Sequence, residues 1–139
     1  AVLLCVGRGS LMAEIREKCE KLGVSDSVIF AGAQKDTAPY YSAMDVFLFP
    51  SLYEGLGSVL IEAQANGLHV VTSKTVVPDD IDVTGNAKFV PLEVPADGWA
   101  EAVLAAANRS TDNTANEKVK KLYDIKTVTD GLCKIYFRD

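Results

Sequence analysis

The sequence predicts an α/β fold in which a parallel sheet is covered by helices on both faces. Short apolar runs alternate along the chain with segments whose apolar residues recur at helical spacing. This alternation is typical of parallel strands joined by right-handed helical crossovers. The chain has 139 residues, of which 48% are apolar and 24% charged, and it contains no internal repeat or obvious linker. We therefore expect a single domain spanning residues 1–139 with one hydrophobic core.

The predicted strands are short apolar runs that end at glycine, proline or polar residues. The first is continuous, which predicts burial on both faces. In chain order the strands are residues 2–6, 28–31, 46–49, 69–72 and 87–90.

The predicted helices follow from apolar residues spaced three or four apart and from glycines at the C-terminal ends. Helices are expected at residues 12–22, at 39–43 behind Pro39, and at 58–66. Two further apolar stripes consist of Trp99, Val103 and Ala106, and of Ile125, Val128, Leu132 and Ile135. The first stripe should face the core. The polar segment 108–116 between them is predicted to be a loop.

Composition excludes several classes of function. The net charge of −5 disfavours broad nucleic-acid binding. No apolar run approaches the ~20 residues that cross a bilayer. Three cysteines (Cys5, Cys19 and Cys133) without paired spacing favour a reducing, cytoplasmic compartment and core positions. One histidine and no Cys-x-x-Cys give little support for a zinc site.

The turn after residue 49 carries the strongest chemical signal. It places Glu54, Gly55 and Gly57 directly before a helix that contains Glu62. Glycines allow close backbone approach, and a first helical turn presents unpaired amides that can hold a diphosphate without a metal. The glutamates also have a simpler interpretation, with Glu54 favoured by the helix dipole and Glu62 solvated.

The whole stretch resembles the E-x7-E signature of retaining glycosyltransferases with the two-domain GT-B fold. The segment runs strand, Pro-Ser, Glu-Gly-x-Gly, helix, Glu-Ala, then Asn-Gly and another strand. Further similarities are the glycine turn at residues 6–9, V-x-F-x-G at 28–32 and A-x-D-V at 43–46. Residues 73–84 and 124–136 resemble bacterial exopolysaccharide and capsular polysaccharide transferases. The resemblance implies a Rossmann-like three-layer sandwich that forms the donor-binding half of a GT-B enzyme, with its first strand upstream of Ala1.

The resemblance also implies a role for each matching residue. Glu54 would be catalytic and face the donor sugar, whereas Glu62 would accept hydrogen bonds from the ribose. Backbone groups supply the other donor contacts, and no metal or other cofactor is expected. These backbone groups belong to Gly55, Leu56, Gly57, Ser58 and Val59 at the diphosphate, to Gly7 and Gly9 in the first turn, and to Ala33, Gln34 and Lys35 at the base.

Some positions depart from the family pattern. An Arg and Lys pair that meets the diphosphate would lie upstream of Ala1, as would the acceptor-binding domain. We therefore expect a C-terminal fragment that binds donor without transferring sugar. His69 and Gly57 stand where relatives carry proline; His69 is interpreted as structural, and Gly57 could loosen the helix start. Arg8 and Lys74 could reach phosphate or remain solvated. Lys118, Lys120 and Lys121 form an exposed helix face or a membrane contact.

The resulting functional hypothesis is hexosyl transfer from a nucleotide sugar, UDP-hexose in particular, to a glycan or lipid-linked acceptor in bacterial polysaccharide biosynthesis. The alternative is a nucleotide-binding module without catalysis. A nicotinamide or flavin oxidoreductase is disfavoured because Gly7 and Gly9 are followed by Met12 rather than a third glycine. We expect a cytoplasmic protein whose parent contacts the inner face of the plasma membrane, no nucleic-acid partner, and possible pairing between fragments at an exposed sheet edge.

Overall fold

The computed structural model describes residues 1–109, 112 and 114–137. The chain divides into two compact units, the first comprising residues 1–40 and the second beginning at Tyr41. Both units contain parallel strands and helices, so the α/β prediction is confirmed. The strands form one two-stranded and one three-stranded sheet.

The first unit is a β-α-β arrangement. It contains β1 (Leu3–Val6), α1 (Met12–Lys21), a short 3₁₀ turn and β2 (Val28–Gly32), with β1 and β2 parallel. Gly23 ends the α1 segment with φ +67°, as the sequence predicts. The Arg16 guanidinium lies 4.2 Å from the centroid of the Phe30 ring and covers that side of β2.

The predicted burial of β1 on both faces is wrong. Leu3 is exposed, and the remaining β1 residues are only half-buried. An apolar run predicts a buried strand only where other layers cover both of its faces.

The second unit begins within α2 (Ala38–Ser42) and is built on a three-stranded parallel sheet. Its strands are β3 (Val46–Phe49), β4 (His69–Ser73) and β5 (Ala87–Val90), with β4 in the centre. Its helices are α3 (Ser58–Ala65), α4 (Ala96–Ala107), α5 (Ala115–Tyr123) and α6 (Ile125–Tyr136).

The central strand β4 is buried along its whole length and divides the core into two layers. Successive side chains of a strand point to opposite faces. Accordingly, Val70 packs with Leu60 of α3 and Val119 of α5, whereas Val71 packs with Ala106 of α4. Trp99 and Val103 lie against the second cluster, so the core position of that stripe is confirmed. The second unit is therefore a three-layer α/β/α sandwich.

The C-terminal helices differ in part from the sequence prediction. The polar segment 108–116 was predicted to be a loop, but α5 begins at Ala115, which is buried; residues 110, 111 and 113 lie outside the described part. Asp124 caps α6 by accepting hydrogen bonds from the amides of Lys126 and Thr127. The apolar stripe of α6 is exposed. None of the described helices is long and apolar enough to cross a membrane.

The expectation that all three cysteines are core residues is wrong for one of them. Cys133 is exposed because it lies on α6, whose residues are all exposed. Cys5 and Cys19 are half-buried in the first unit. Burial, together with the nearby Cys19, raises the pKa of the Cys5 thiol, so this thiol stays protonated at neutral pH.

Gln64 links α3 to the segment that precedes β5. Its side chain is fully buried, and its Nε2 donates to the carbonyls of Leu60 (3.1 Å) and Ile81 (2.8 Å). Its Oε1 accepts from both the amide and the hydroxyl of Thr84, at 3.2 and 3.1 Å. The Gln64 side chain therefore supplies hydrogen-bond partners to the Ile81 carbonyl and to the amide and hydroxyl of Thr84, which lie in a loop rather than in a strand.

Replacing Gln64 with leucine should destabilise the fold by about 2–4 kcal/mol, because the Ile81 carbonyl and the Thr84 amide would lose their buried partner. The free energy of unfolding is measured by urea denaturation. Asn66→Leu is the matched control: its amide is exposed, so its cost should stay within about 0.5 kcal/mol. Equal costs for the two variants would show that the Gln64 network contributes no stability.

Candidate functional site

The chain leaving β3 is held in place by hydroxyl groups of β4. Thr72 Oγ1 donates to the Phe49 carbonyl (3.0 Å), and Ser73 Oγ donates to the Ser51 carbonyl (2.6 Å). Both hydroxyl-bearing residues are fully buried. Because β3 and β4 are parallel, their carboxyl ends meet at one edge, where ligands of such sheets bind. The loop that carries Glu54 therefore starts from a fixed point.

Glu54 lies in that loop and is exposed. Ser51 Oγ lies 3.1 Å from Glu54 Oε1 and 2.9 Å from the Tyr53 carbonyl oxygen. The serine thus links the pinned end of β3 to the glutamate. This arrangement presents a carboxylate to solvent at the carboxyl edge of the sheet.

The start of α3 is an open set of backbone amides. Gly57 precedes the helix with φ +69°, and no described side chain caps it. The Leu60 amide bonds to the Gly57 carbonyl (2.9 Å), whereas the amides of Ser58 and Val59 belong to the first turn, which has no intrahelical acceptors. Together with the positive end of the helix dipole, these amides can hold an anion.

The positive φ of Gly57 bears on the family resemblance, which implies proline at this position. Proline is locked near −65° and could not adopt this backbone conformation. Gly57 is also crowded: a Cβ there would lie 3.1 Å from Leu60 Cδ1 and 3.3 Å from Val77 Cγ1. The start of α3 therefore requires glycine at position 57, and the expectation that Gly57 loosens the helix start is not needed to explain its presence.

Glu62 lies one turn into α3 and has a buried partner. Tyr41 Oη donates to Glu62 Oε2 at 3.1 Å, from a ring that is 6% exposed. Burial, the Glu62 charge and this hydrogen bond raise the pKa of Tyr41 far above its ordinary value. The tyrosine is thus a neutral donor throughout the physiological pH range.

The loop after β4 covers the first turn of α3. Lys74 continues the ladder through its amide, which bonds to the Val90 carbonyl at 2.8 Å, and its side chain is exposed. Thr75 has φ +71°, which is unfavourable for a β-branched residue, and it precedes the segment whose Val77 packs beside Gly57. Such strain persists only where surrounding contacts determine the backbone.

A second group of predicted residues lies in the first unit. The Gly7 amide bonds to the Gly32 carbonyl at 2.8 Å, and Gly7 has φ +138°, so the turns after β1 and β2 are adjacent. The Gly9 carbonyl accepts from the Met12 amide where α1 begins. Gln34 Nε2 donates to the Ala31 carbonyl at 2.6 Å, which closes the exposed turn formed by residues 33–35.

The structure therefore assembles the predicted residues within each unit. In the second unit, Glu54, the glycines, the open amides and Glu62 surround the start of α3. In the first unit, Gly7 and Gly9 adjoin Ala33, Gln34 and Lys35.

His69 is buried at the amino end of β4, the edge opposite the Glu54 loop, which agrees with its structural interpretation. Lys118 is bonded to Asp112 (2.7 Å) and extends to the Thr84 carbonyl at 3.5 Å.

Several residues of the site carry no sequence signal of their own. Tyr41 and Val77 reach the α3 segment from other parts of the chain, and Thr72 and Ser73 reach the β3 loop. The one available clue is polar residues at the end of an apolar strand, which is where Thr72 and Ser73 stand. Nothing in local sequence indicates Tyr41.

The second unit is thus an α/β sandwich with an uncapped helix start at the carboxyl edge of a parallel sheet, the edge at which such folds bind ligands. The chain belongs to the family described as glycosyl transferases group 1, whose family model matches residues 1–109. The fold is one Rossmann-like half of the GT-B architecture, as the sequence predicts.

Individual relatives agree with this assignment. The chain is 33% identical over 137 residues to EpsF of Bacillus subtilis, covering 96% of this chain and 36% of that protein. It is 35% identical over 101 residues to the lipopolysaccharide core biosynthesis glycosyltransferase LpsE of Rhizobium meliloti, covering 73% and 30%. Sucrose-phosphate synthase from Thermosynechococcus elongatus superposes with a TM-score of 0.75 at 29% identity, covering 96% and 37%. The chain spans about a third of the length of these relatives.

Replacing Gly57 with alanine should destabilise the protein by about 1–3 kcal/mol, since a left-handed backbone is costly for alanine and its Cβ meets Leu60 and Val77. The measurement is the free energy of unfolding. Gly55→Ala is the control, because Gly55 lies outside the left-handed region and has no atom within 4 Å of a Cβ. Its effect should stay within about 0.5 kcal/mol. A tolerated Gly57→Ala would mean that the helix start relaxes freely.

Proposed function

We propose that this chain is the donor-binding domain of a retaining glycosyltransferase that transfers a hexose from a nucleotide sugar, UDP-hexose in particular. The observation that carries the proposal is the start of α3. There, open amides follow Gly57, with one glutamate in the preceding loop and another on the helix. Family membership makes a sugar nucleotide the ligand that fits such a site.

The diphosphate is proposed to bind at the amides of residues 55–59. Its charge suits the positive helix end, and Gly55, where a Cβ would meet no atom within 4 Å, leaves room for close approach of the phosphate oxygens. When the glycosidic bond breaks, the departing nucleoside diphosphate gains negative charge. Fixed dipoles aimed at that charge lower the barrier without a metal ion.

The two glutamates are proposed to act on different parts of the donor. Glu62 sits on the helix, is held from the core by Tyr41, and is assigned to the ribose hydroxyls. Glu54 sits on the loop beside Ser51 and is assigned to the sugar and its reacting carbon. Their different supports suit this division: Glu62 is held by a core tyrosine, whereas Glu54 is held by a serine of its own loop.

The first unit is proposed to contact the base and the rest of the donor through its backbone. Gly7 and Gly9 permit close approach, and Ala33, Gln34 and Lys35 present peptide groups from an exposed turn. This part of the proposal rests on the resemblance of the 6–9 and 28–32 segments to the family pattern.

The acceptor is proposed to be a glycan or a lipid-linked glycan in bacterial polysaccharide biosynthesis. The name of LpsE, a lipopolysaccharide core biosynthesis glycosyltransferase, supports an acceptor of this kind. We place the protein in the cytoplasm, at the inner face of the plasma membrane. Three free cysteines agree with a reducing compartment, and the exposed apolar stripe of α6 suits a membrane surface or a second copy.

Isothermal titration of the chain with UDP, GDP and their hexose forms tests the proposed donor site. Glu62→Ala should weaken UDP and UDP-hexose alike by about 1–3 kcal/mol, because ribose hydroxyls would lose a charged partner. Glu54→Ala should leave UDP unchanged and weaken only the sugar-bearing form. Glu101→Ala, an exposed glutamate on α4, is the control and should change neither.

Two results would contradict these assignments. If Glu54→Ala weakened the binding of UDP and of UDP-hexose equally, the assignment of Glu54 to the sugar and Glu62 to the ribose would be wrong. If no nucleoside diphosphate bound even at millimolar concentration, the donor site itself would be wrong.

A further inference from the structure

We infer that Tyr41 is a positioning residue, which orients the Glu62 carboxylate toward the ribose hydroxyls of the donor. The inference deepens the proposed function and rests on the ribose role of Glu62. It assigns a task to a residue that lies 21 positions before the glutamate.

The Tyr41 ring is a rigid support. It is 6% exposed, belongs to the core cluster of the second unit, and meets Phe47 edge-on with ring centroids 5.5 Å apart. Phe47 in turn stacks on Phe49 at 5.8 Å, so the ring is backed by β3. A hydroxyl on such a ring has a fixed position, because the ring has only two torsions and both are determined by packing.

Glu62, by contrast, is an exposed helical residue with a long side chain, and ordering such a side chain costs conformational entropy. The hydroxyl of Tyr41 donates to its Oε2 at 3.1 Å, while the Val59 carbonyl lies at the limit of hydrogen-bond distance, 3.5 Å away. This hydrogen bond from a fixed ring therefore favours one orientation of the exposed Glu62 carboxylate.

The chemistry of the pair suits recognition of a diol. An ionised carboxylate offers about four acceptor positions, and the tyrosine fills one of them. Because burial and the neighbouring charge keep the Tyr41 hydroxyl protonated, it donates without adding charge. In the proposed complex, the two ribose hydroxyls donate to the same carboxylate.

The simpler interpretation is that Tyr41 is a core tyrosine whose hydroxyl merely needs a partner. The two interpretations differ in what they predict for ligands. A purely structural hydroxyl affects stability or all ligands alike, whereas a positioning hydroxyl affects only ligands that carry the ribose diol.

The test is titration of the 139-residue chain and its Tyr41→Phe variant with UDP and with 2′,3′-dideoxy-UDP. Tyr41→Phe should weaken UDP about three- to tenfold, the range expected when one bound side chain must be ordered by the ligand. It should leave dideoxy-UDP unchanged. Within a Glu62→Ala background the same substitution should have no further effect. Tyr40→Phe, one residue away, is the control and should bind both ligands as the wild type does.

A second variant covers the case in which Tyr41→Phe does not fold. Glu62→Asp keeps the charge but shortens the side chain beyond the reach of the tyrosine. It should lose the preference for UDP over dideoxy-UDP, whereas a chain that needs only a negative charge there would keep it.

The outcomes separate this inference from the proposed function. If Glu62→Ala weakens UDP but Tyr41→Phe does not, or if Tyr41→Phe weakens both ligands equally, the positioning role is overturned and the donor site stands. If Glu62→Ala leaves UDP binding unchanged, the ribose role is wrong and the inference falls with it.

Discussion

Two buried hydroxyls at the end of β4 are the constraint on which the rest of the second unit depends. Thr72 and Ser73 belong to the central, fully buried strand, and they hold the backbone of Phe49 and Ser51 where β3 ends. Without that attachment the loop to α3 would be joined only at its ends. With it, the carboxyl edge of the sheet has a defined shape, and the Glu54 carboxylate is connected to the core through Ser51.

The helix that follows is fixed from three directions, each by a different kind of interaction. Gln64 connects its buried side to the segment before β5 through polar bonds. Val77 crowds its first turn by packing. Tyr41 reaches Glu62 from the core. Ser58 remains exposed at the start of α3, and its backbone amide has no rotamers to order. An anion that binds there meets donors already in place, the condition under which electrostatic stabilisation is strongest.

The sequence predicts well whatever depends on local pattern. All five strands and the helices from Met12, Ser58, Ala96 and Ile125 follow from apolar periodicity and end signals, whereas the roles of Glu54 and Glu62 come from the family pattern and stay predictions. The failures are non-local. Burial of β1 depends on what covers it, and the start of α5 at Ala115 is hidden by the polar residues before it. Tyr41 is spaced in sequence like any other core aromatic residue, so its contact with Glu62 appears only once α2 and α3 are packed together.

The left-handed backbone at Gly57 also has a genetic consequence. Every amino acid reachable from a glycine codon by one nucleotide change carries a Cβ. At this position, therefore, each missense mutation combines backbone strain with a collision against Leu60 and Val77. Single substitutions of Gly57 are therefore destabilising. A change from this glycine to proline would also require a different backbone conformation in the turn.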